Sequence, residues 1–190
     1  MIVVNNKKEL KELINQRIRE QGLNCNLNDI DVSRVTDMSE LFISSKFNGD
    51  ISAWDVSNVK NMSCMFYNSD FNGDLSKWNT SRVRNMMEMF SYTRFNDDIS
   101  QWNVSNVRNM SFMFTNSTFN GDLSKWNVSS VRDMRYMFYS SKFDGDISDW
   151  NVSNVEDMSF MFERSVFKGD LSKWDVSNAK NIEEYVWNIR

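Results

Sequence analysis

Aspartates spaced 24 residues apart are the first candidates for chemistry in this 190-residue sequence. This acidic column comprises Asp50, Asp74, Asp98, Asp122, Asp146 and Asp170. Stacked carboxylates can bind Ca²⁺ together with loop carbonyls, but no stretch of the sequence carries the several closely spaced oxygen ligands that one Ca²⁺ needs. An aspartate in a turn also accepts hydrogen bonds from nearby backbone N–H groups. We therefore predict turn capping, keep calcium binding as the alternative, and predict no metal or other cofactor.

A basic column recurs at the same interval and could contact nucleic-acid phosphates or an anionic glycan. It comprises Lys60, Arg84, Arg108, Arg132 and Lys180, and Glu156 interrupts it. The chain has 22 Lys and Arg against 26 Asp and Glu, which gives a net charge of −4. Nucleic-acid-binding domains carry the opposite balance. We therefore predict that the basic column is a solvated face and that nucleic acid is not a partner.

Enzyme activity is not expected from this composition. The sequence contains no histidine, which removes the commonest general base and every Ser-His arrangement. Serines recur beside the acidic and basic columns, but a serine nucleophile needs a base to activate it. Paired carboxylates could support glycoside hydrolysis, yet every candidate pair recurs in each repeat, whereas an active site is a single place. The sequence therefore predicts a non-catalytic protein.

A third column differs between repeats and reads Glu40, Cys64, Glu88, Phe112, Tyr136, Phe160 and Glu184; we call it the aromatic column. Arginines precede two of its aromatic residues by four positions, a spacing that shares one face of a helical turn. Exposed aromatic residues beside arginine are typical of interface centres. The predicted partner-binding residues are Phe112, Tyr136, Phe160, Tyr139, Arg108 and Arg132. The alternative is that these rings lie flat over neighbouring loops and thicken the core.

These columns arise from an internal repeat. The segment Phe47-Asn-Gly-Asp-Ile-Ser-Ala-Trp54 aligns on Phe71-Asn-Gly-Asp-Leu-Ser-Lys-Trp78, and the 24-residue interval then holds without insertion. One unit alone cannot bury its apolar side chains, so neighbouring units must stack to form a shared core. The predicted seven units are 23–46, 47–70, 71–94, 95–118, 119–142, 143–166 and 167–190.

Each unit contains two patterns that predict local structure. Trp54 and Val56 alternate with polar residues, which is typical of a short strand. Asn61 precedes Met62, Met65 and Phe66, whose spacing is that of one helical face, and its side chain is suited to an N-cap. We therefore predict an α/β repeat solenoid in which the strands form a parallel β-sheet and short helical turns follow them.

The two ends of the array need covering. Residues 7–21 predict an amphipathic helix with Asn6 as N-cap and Gly22 as its stop. Its predicted apolar stripe comprises Leu10, Leu13, Ile14 and Ile18. We predict that 1–22 is an N-terminal capping helix, with membrane-surface binding as the alternative. At the other end the motif decays at Ala179, Ile182, Tyr185 and Val186, and Trp187 is expected to fold over the last unit.

The string Trp-Asp-Val-Ser-Asn-Val-Lys-Asn-Met-Ser-Cys-Met-Phe at 54–66 resembles the BspA-type leucine-rich repeats of mycoplasma surface lipoproteins and other bacterial surface proteins. The resemblance covers residues 23–190. It implies a right-handed, leucine-rich-repeat-like stack of coils in an exported protein used for adhesion or interaction. On this basis we expect a monomeric adhesion or protein-interaction module, at the cell surface or secreted, that binds a protein or host-surface partner.

Membrane insertion and export leave different traces in a sequence. Mean hydropathy is −0.56 and charges are scattered throughout, so no membrane span is expected. The N-terminus becomes charged after three apolar residues, and we therefore expect no signal peptide in these residues. A cytoplasmic location remains the alternative, with the chain acting as an intracellular scaffold or secreted effector that holds a protein partner.

Overall fold

The computed structural model describes residues 1–180, whose backbone pairing follows the 24-residue repeat. Its regular elements are β1 (Ile2–Val3), α1 (Lys7–Gln21) and β2 (Ile30–Asp31), and β1 pairs in parallel with β2. Turns and isolated parallel bridges make up the remainder of the described chain. The chain is thus a repeat protein with parallel pairing and one helix at its start. The predicted contacts of Ile182, Tyr185, Val186 and Trp187 lie outside the described residues.

Helix α1 begins and ends where its capping residues predict. The Asn6 side chain accepts a hydrogen bond from the Glu9 N–H, and the Gly22 N–H donates to the carbonyl of Ile18 at 2.9 Å. Leu10 and Ile14 are fully buried and belong to the same apolar cluster as the repeat units. The predicted helix and its buried stripe are therefore confirmed. The unit boundaries and the separate status of 1–22 stay predictions.

Strand β1 was not expected from the sequence. The Ile2 N–H donates to the carbonyl of Asp29 at 2.8 Å and the Val4 N–H donates to that of Asp31 at 3.1 Å. A strand of two residues has no measurable periodicity, so only the partner strand reveals it. The residues before the helix thus add one parallel strand to the first unit.

The predicted position of the repeating strand is wrong. Parallel bridges join the equivalent residues Asp37, Asn61, Asn85, Asn109, Asp133 and Asp157. The Lys60 N–H donates to the preceding unit at 2.8 Å and the Met62 N–H donates to the next unit at 2.9 Å, so this short stretch pairs on both sides. Trp54 and Val56 lie in turns instead, and their alternation reflects two side chains that are buried from a turning backbone. Within residues 1–180, the segment equivalent to 54–55 forms a strand only in the first unit, where it is β2.

The predicted helical turn is also wrong. From Met62 to Asn68, every second backbone N–H donates to a carbonyl of the next unit, whereas the N–H groups of Met65, Tyr67 and Ser69 close turns within the unit. A helix would use these N–H groups internally. Asn61 does accept the Ser63 N–H at 3.1 Å, so the predicted acceptor is correct although it caps a turn. Successive turns bring apolar residues to one side with the same spacing as a helix.

These turns require positive φ at residues other than glycine. The residues concerned are Glu40, Ser44, Cys64, Asn68, Glu88, Tyr92, Phe112, Asn116, Tyr136, Ser140, Phe160 and Arg164. A left-handed conformation costs such residues roughly 1–2 kcal/mol each. The hydrogen bonds to neighbouring units offset this cost. The whole aromatic column from Glu40 to Phe160 therefore lies at strained backbone positions.

Aromatic ladders fill the core along the stack. The rings of Phe66 and Phe90 lie 5.6 Å apart and within 5° of parallel, and those of Trp54 and Trp78 lie 6.5 Å apart at 7°. The Trp78 Nε1–H donates to the carbonyl of Ile51 in the preceding unit at 3.2 Å. The described part of the chain has no buried side-chain N or O atom without a hydrogen-bond partner. Buried polar groups are thus satisfied between units as well as within them.

Among the glycines of the described chain, Gly49 leaves the least room for a side chain, and this gives a first prediction. A Cβ there would lie 2.0 Å from the carbonyl oxygen of Cys25, whereas a Cβ on Gly145 would first meet the Phe143 ring at 2.9 Å. We expect Gly49→Ala to lower the free energy of unfolding by about 2 kcal/mol, because a backbone must move. Gly145→Ala should cost less than half as much in the same urea titration. Equal losses would show that ring crowding, and not backbone contact, excludes side chains at this position.

A second prediction concerns the helix that covers the first unit. Ile14→Ala removes a buried side chain from the shared core, and we expect it to lower the free energy of unfolding by roughly 2–5 kcal/mol. The exposed neighbour Asn15→Ala is the control and should leave thermal unfolding unchanged. If both variants unfold like the parent chain, helix α1 does not contribute to the stability of the array.

Candidate functional site

The acidic column caps turns, as predicted. Asp50 accepts the Ser52 N–H at 3.0 Å, Asp98 accepts the Ser100 N–H at 2.8 Å, and the other members make the equivalent bond. These hydrogen bonds lower the pKa of the carboxyl groups of Asp50 and Asp98. Among residues 1–180, no group of three or more Cys, Asp or Glu side chains is placed to hold a metal ion.

These pKa directions give a prediction for acid stability. A carboxyl whose pKa is lowered by folding stabilises the fold above the ordinary value of 3.8, and that contribution is lost as pH falls through the folded pKa. Burial raises the pKa of Asp133, so that group acts in the opposite direction. We expect the free energy of unfolding to decline below pH 3.8. Asp98→Asn should make the decline shallower, as followed by urea titrations at several pH values, whereas Asp133→Asn should remove the gain in stability that protonation of Asp133 gives as pH falls towards 3.8.

The rings of the aromatic column stack on one another at the surface. Phe112 and Tyr136 lie 4.7 Å apart at 5°, and Tyr136 and Phe160 lie 4.8 Å apart at 26°. These distances match the spacing of hydrogen-bonded strands, so the ladder of backbone bonds sets the stacking distance. Each of the three rings is half-buried. The rings therefore pack against each other while part of each remains open to a partner.

A groove of 370 Å³ lies beside these rings. It is lined by Tyr67, Glu88, Ser91, Tyr92, Phe112, Thr115, Tyr136 and Tyr139. One position of the repeat reads Tyr67, Ser91, Thr115 and Tyr139 in consecutive units, so two large residues enclose two small ones. The hydroxyls of Ser91 and Thr115 donate to backbone carbonyls of the next unit. The two small side chains between the two large ones leave space at the surface, and this space is the groove.

Five groove residues were not predicted as site residues, and Tyr67 and Tyr92 are the aromatic ones among them. Their rings lie 5.6 Å apart at 59°, so they form a corner and not a stack. Tyr92 is 51% exposed, and few large apolar side chains among residues 1–180 are as exposed. The size pattern of the Tyr67 position is the sequence signal that points to the groove. It is read only when one position is compared through successive units.

The predicted arginines lie apart from the groove. Arg108 and Arg132 are exposed and neither lines it; Arg132 pairs with Glu156 at 2.7 Å in a separate depression. Their expected proximity assumed a helical turn, and the segment is not helical. Tyr139 does lie in the cluster, with its ring 5.5 Å from that of Tyr136. The guanidinium of Arg164 lies 5.7 Å from the centre of the Tyr139 ring.

Cys64 also belongs to the aromatic column and is a free thiol. Burial, followed by the charges of Glu88 and Glu40, raises its pKa to about 11. Cys25 is the second free cysteine, and burial raises its pKa as well. Thiols with raised pKa hold little thiolate at neutral pH and are poor nucleophiles. The groove therefore offers ring faces and one carboxylate, and not an activated thiol.

Two overlapping stretches of the sequence, residues 8–118 and 91–190, match the family described as "Mycoplasma protein of unknown function, DUF285". The chain belongs to this family. The double match agrees with the repeat found in the sequence, since each DUF285 stretch spans several 24-residue units. Neither a curated protein nor a solved structure matches this DUF285 chain. Within the described residues, no helix has both the length and the apolar character needed to cross a membrane.

Proposed function

We propose that this DUF285 chain is a non-catalytic binding module whose aromatic column contacts a protein or host-surface partner. The observation that carries the proposal is the stack of Phe112, Tyr136 and Phe160, half-buried and in consecutive units. The acidic column and the serines beside it recur in nearly every unit, so that face of the repeat does not distinguish one place from another. A partner needs a distinct place, and these rings provide one.

The fold does not require aromatic rings at these positions, and this supports the proposal. The equivalent residues in earlier units are Glu40, Cys64 and Glu88, which adopt the same positive φ without an aromatic ring. The stack of units therefore does not need a ring there. Partly exposed aromatic side chains dominate the binding energy of many interfaces.

Catalysis is the less favoured class because of composition. The sequence has no histidine, and its carboxylates recur with the repeat and accept hydrogen bonds in their own turns. Both free thiols have a raised pKa. A surface that recognises a partner uses none of these groups as a nucleophile or base.

We further propose that the units form a right-handed solenoid of the leucine-rich-repeat type, acting as a monomer at the bacterial surface or after secretion. Parallel pairing at 24-residue intervals supports the architecture. The resemblance of 54–66 to surface repeat proteins supports the location.

Adhesion of protein-coated fluorescent beads to cultured host cells tests the binding proposal. Phe112, Tyr136 and Phe160 are replaced together by serine in one variant and by leucine in another; the leucines retain apolar packing but remove the rings. We expect both variants to bind at least tenfold more weakly than the parent chain, a loss of about 1.4 kcal/mol. Circular dichroism at the assay temperature confirms that each variant is folded.

The control carries three serines on other exposed residues of nearby units, at Arg94, Lys125 and Lys142. It should bind host cells like the parent chain. Full binding by the folded leucine variant would contradict the proposal, because it would show that the rings are not contacted. Parent beads that adhere no better than uncoated beads would contradict host-cell adhesion itself.

A further inference from the structure

The groove beside the aromatic column has a marked chemical bias. Of its eight lining residues, five are aromatic, one is acidic and none is basic. Glu88 is half-buried, and no lysine or arginine within residues 1–180 forms an ion pair with it. A cation is attracted both to a carboxylate and to the faces of aromatic rings. The surface therefore complements a positive charge carried on an apolar stem.

We infer that the groove holds a lysine or arginine side chain presented by an extended segment of a protein partner. Glu88 would accept the charged group, while Tyr67, Tyr92 and Phe112 would contact its methylene stem and its cation. This inference rests on the proposed binding function and names the chemistry of the partner.

The arrangement of the rings supports a cationic occupant. Tyr67 and Tyr92 meet at 59° with their centres 5.6 Å apart, so they present two differently oriented surfaces to one ligand. Burial, followed by the charges of Tyr92 and Glu88, raises the pKa of Tyr67. Glu88 therefore acts electrostatically on this corner. The negative charge and the ring faces therefore act at the same end of the groove.

The protein already makes this kind of contact at the other end of the groove. The Arg164 guanidinium lies 5.7 Å from the centre of the Tyr139 ring, which is within the range of a cation–π interaction. That contact is made on one of the two tyrosines that enclose the groove; beside Tyr67 the position equivalent to Arg164 holds Tyr92, and no arginine or lysine covers Tyr67 in the part of the chain that the structure describes. A partner's cation would repeat at Tyr67 and Tyr92 what Arg164 does at Tyr139.

The size and floor of the groove favour one long side chain. Its volume of 370 Å³ lies near the lower end of the range for ligand sites, roughly 300–1,000 Å³. The floor hydroxyls of Ser91 and Thr115 already donate to carbonyls of this chain. The floor therefore offers few free donors to a sugar or an anion, and specificity falls to Glu88 and the rings.

Short peptides titrated into the full chain test this inference. The series Gly-Ser-X-Ser-Gly carries lysine, arginine, norleucine or glutamate at X, and NMR signals of the tyrosine rings report binding. We expect the lysine and arginine peptides to bind at least fivefold more tightly than the norleucine peptide, which has a similar stem without the charge. Glu88→Gln should reduce this ratio of affinities to near one, and Tyr92→Leu should weaken the binding of the lysine and arginine peptides.

Glu40→Gln is the matched control, since it makes the same substitution in the same column two units away; it should preserve the ratio. Equal binding of lysine and norleucine peptides would overturn the inference, as would a preference for glutamate or an unchanged ratio in Glu88→Gln. Stronger shifts with tri-N-acetylglucosamine would assign the groove to sugars and overturn it too. None of these outcomes affects the bead assay, so host-cell binding that is lost with the aromatic rings would still support the proposed function.

Discussion

The backbone hydrogen bond between units is the interaction on which the rest of the structure depends. In the turn segments between Met38 and Ser140, alternate N–H groups donate to the next unit at about the same distance, as in Met62 to Asn85 and Met86 to Asn109, both at 2.9 Å. Because each bond joins equivalent positions, the units align and every side-chain type forms a column. The phenylalanine and tryptophan ladders, the acidic turn caps and the stacked surface rings are consequences of this single alignment.

The same constraint explains why the strained residues lie at the surface. Directing every second N–H to a neighbour prevents the segment from becoming a helix and forces positive φ at Cys64, Asn68 and their equivalents. A side chain at the Cys64 position leaves the backbone at the surface and stacks at the spacing of the units. The equivalent position holds Glu88 in one unit and Phe112 in the next, so the chemistry of the surface changes while the backbone conformation stays the same. The fold can vary these surface residues one unit at a time.

Sequence reasoning recovered the features that depend on local chemistry and on the repeat. The 24-residue interval, the helix between Asn6 and Gly22, and the turn-capping aspartates all have signals within a short stretch. The strand and helical turn within the unit were misplaced, because apolar spacing at Met62, Met65 and Phe66 does not distinguish a helix from successive turns. Hydrogen bonds to another unit make that distinction, and they leave no local trace. The groove was missed for a related reason, since it depends on side-chain size compared between units.

Hydrogen bonds that run from unit to unit also have a mechanical consequence. A load applied to the two ends of the array acts along these bonds and draws neighbouring units apart, so resistance falls on one interface at a time. A detached unit of 24 residues can extend to about 80 Å, whereas its place in the stack occupies roughly 5 Å. Loss of one terminal unit therefore lengthens the chain greatly while the remaining units keep their pairing. An array pulled at its ends therefore extends one unit at a time, and the groove farther along it remains intact.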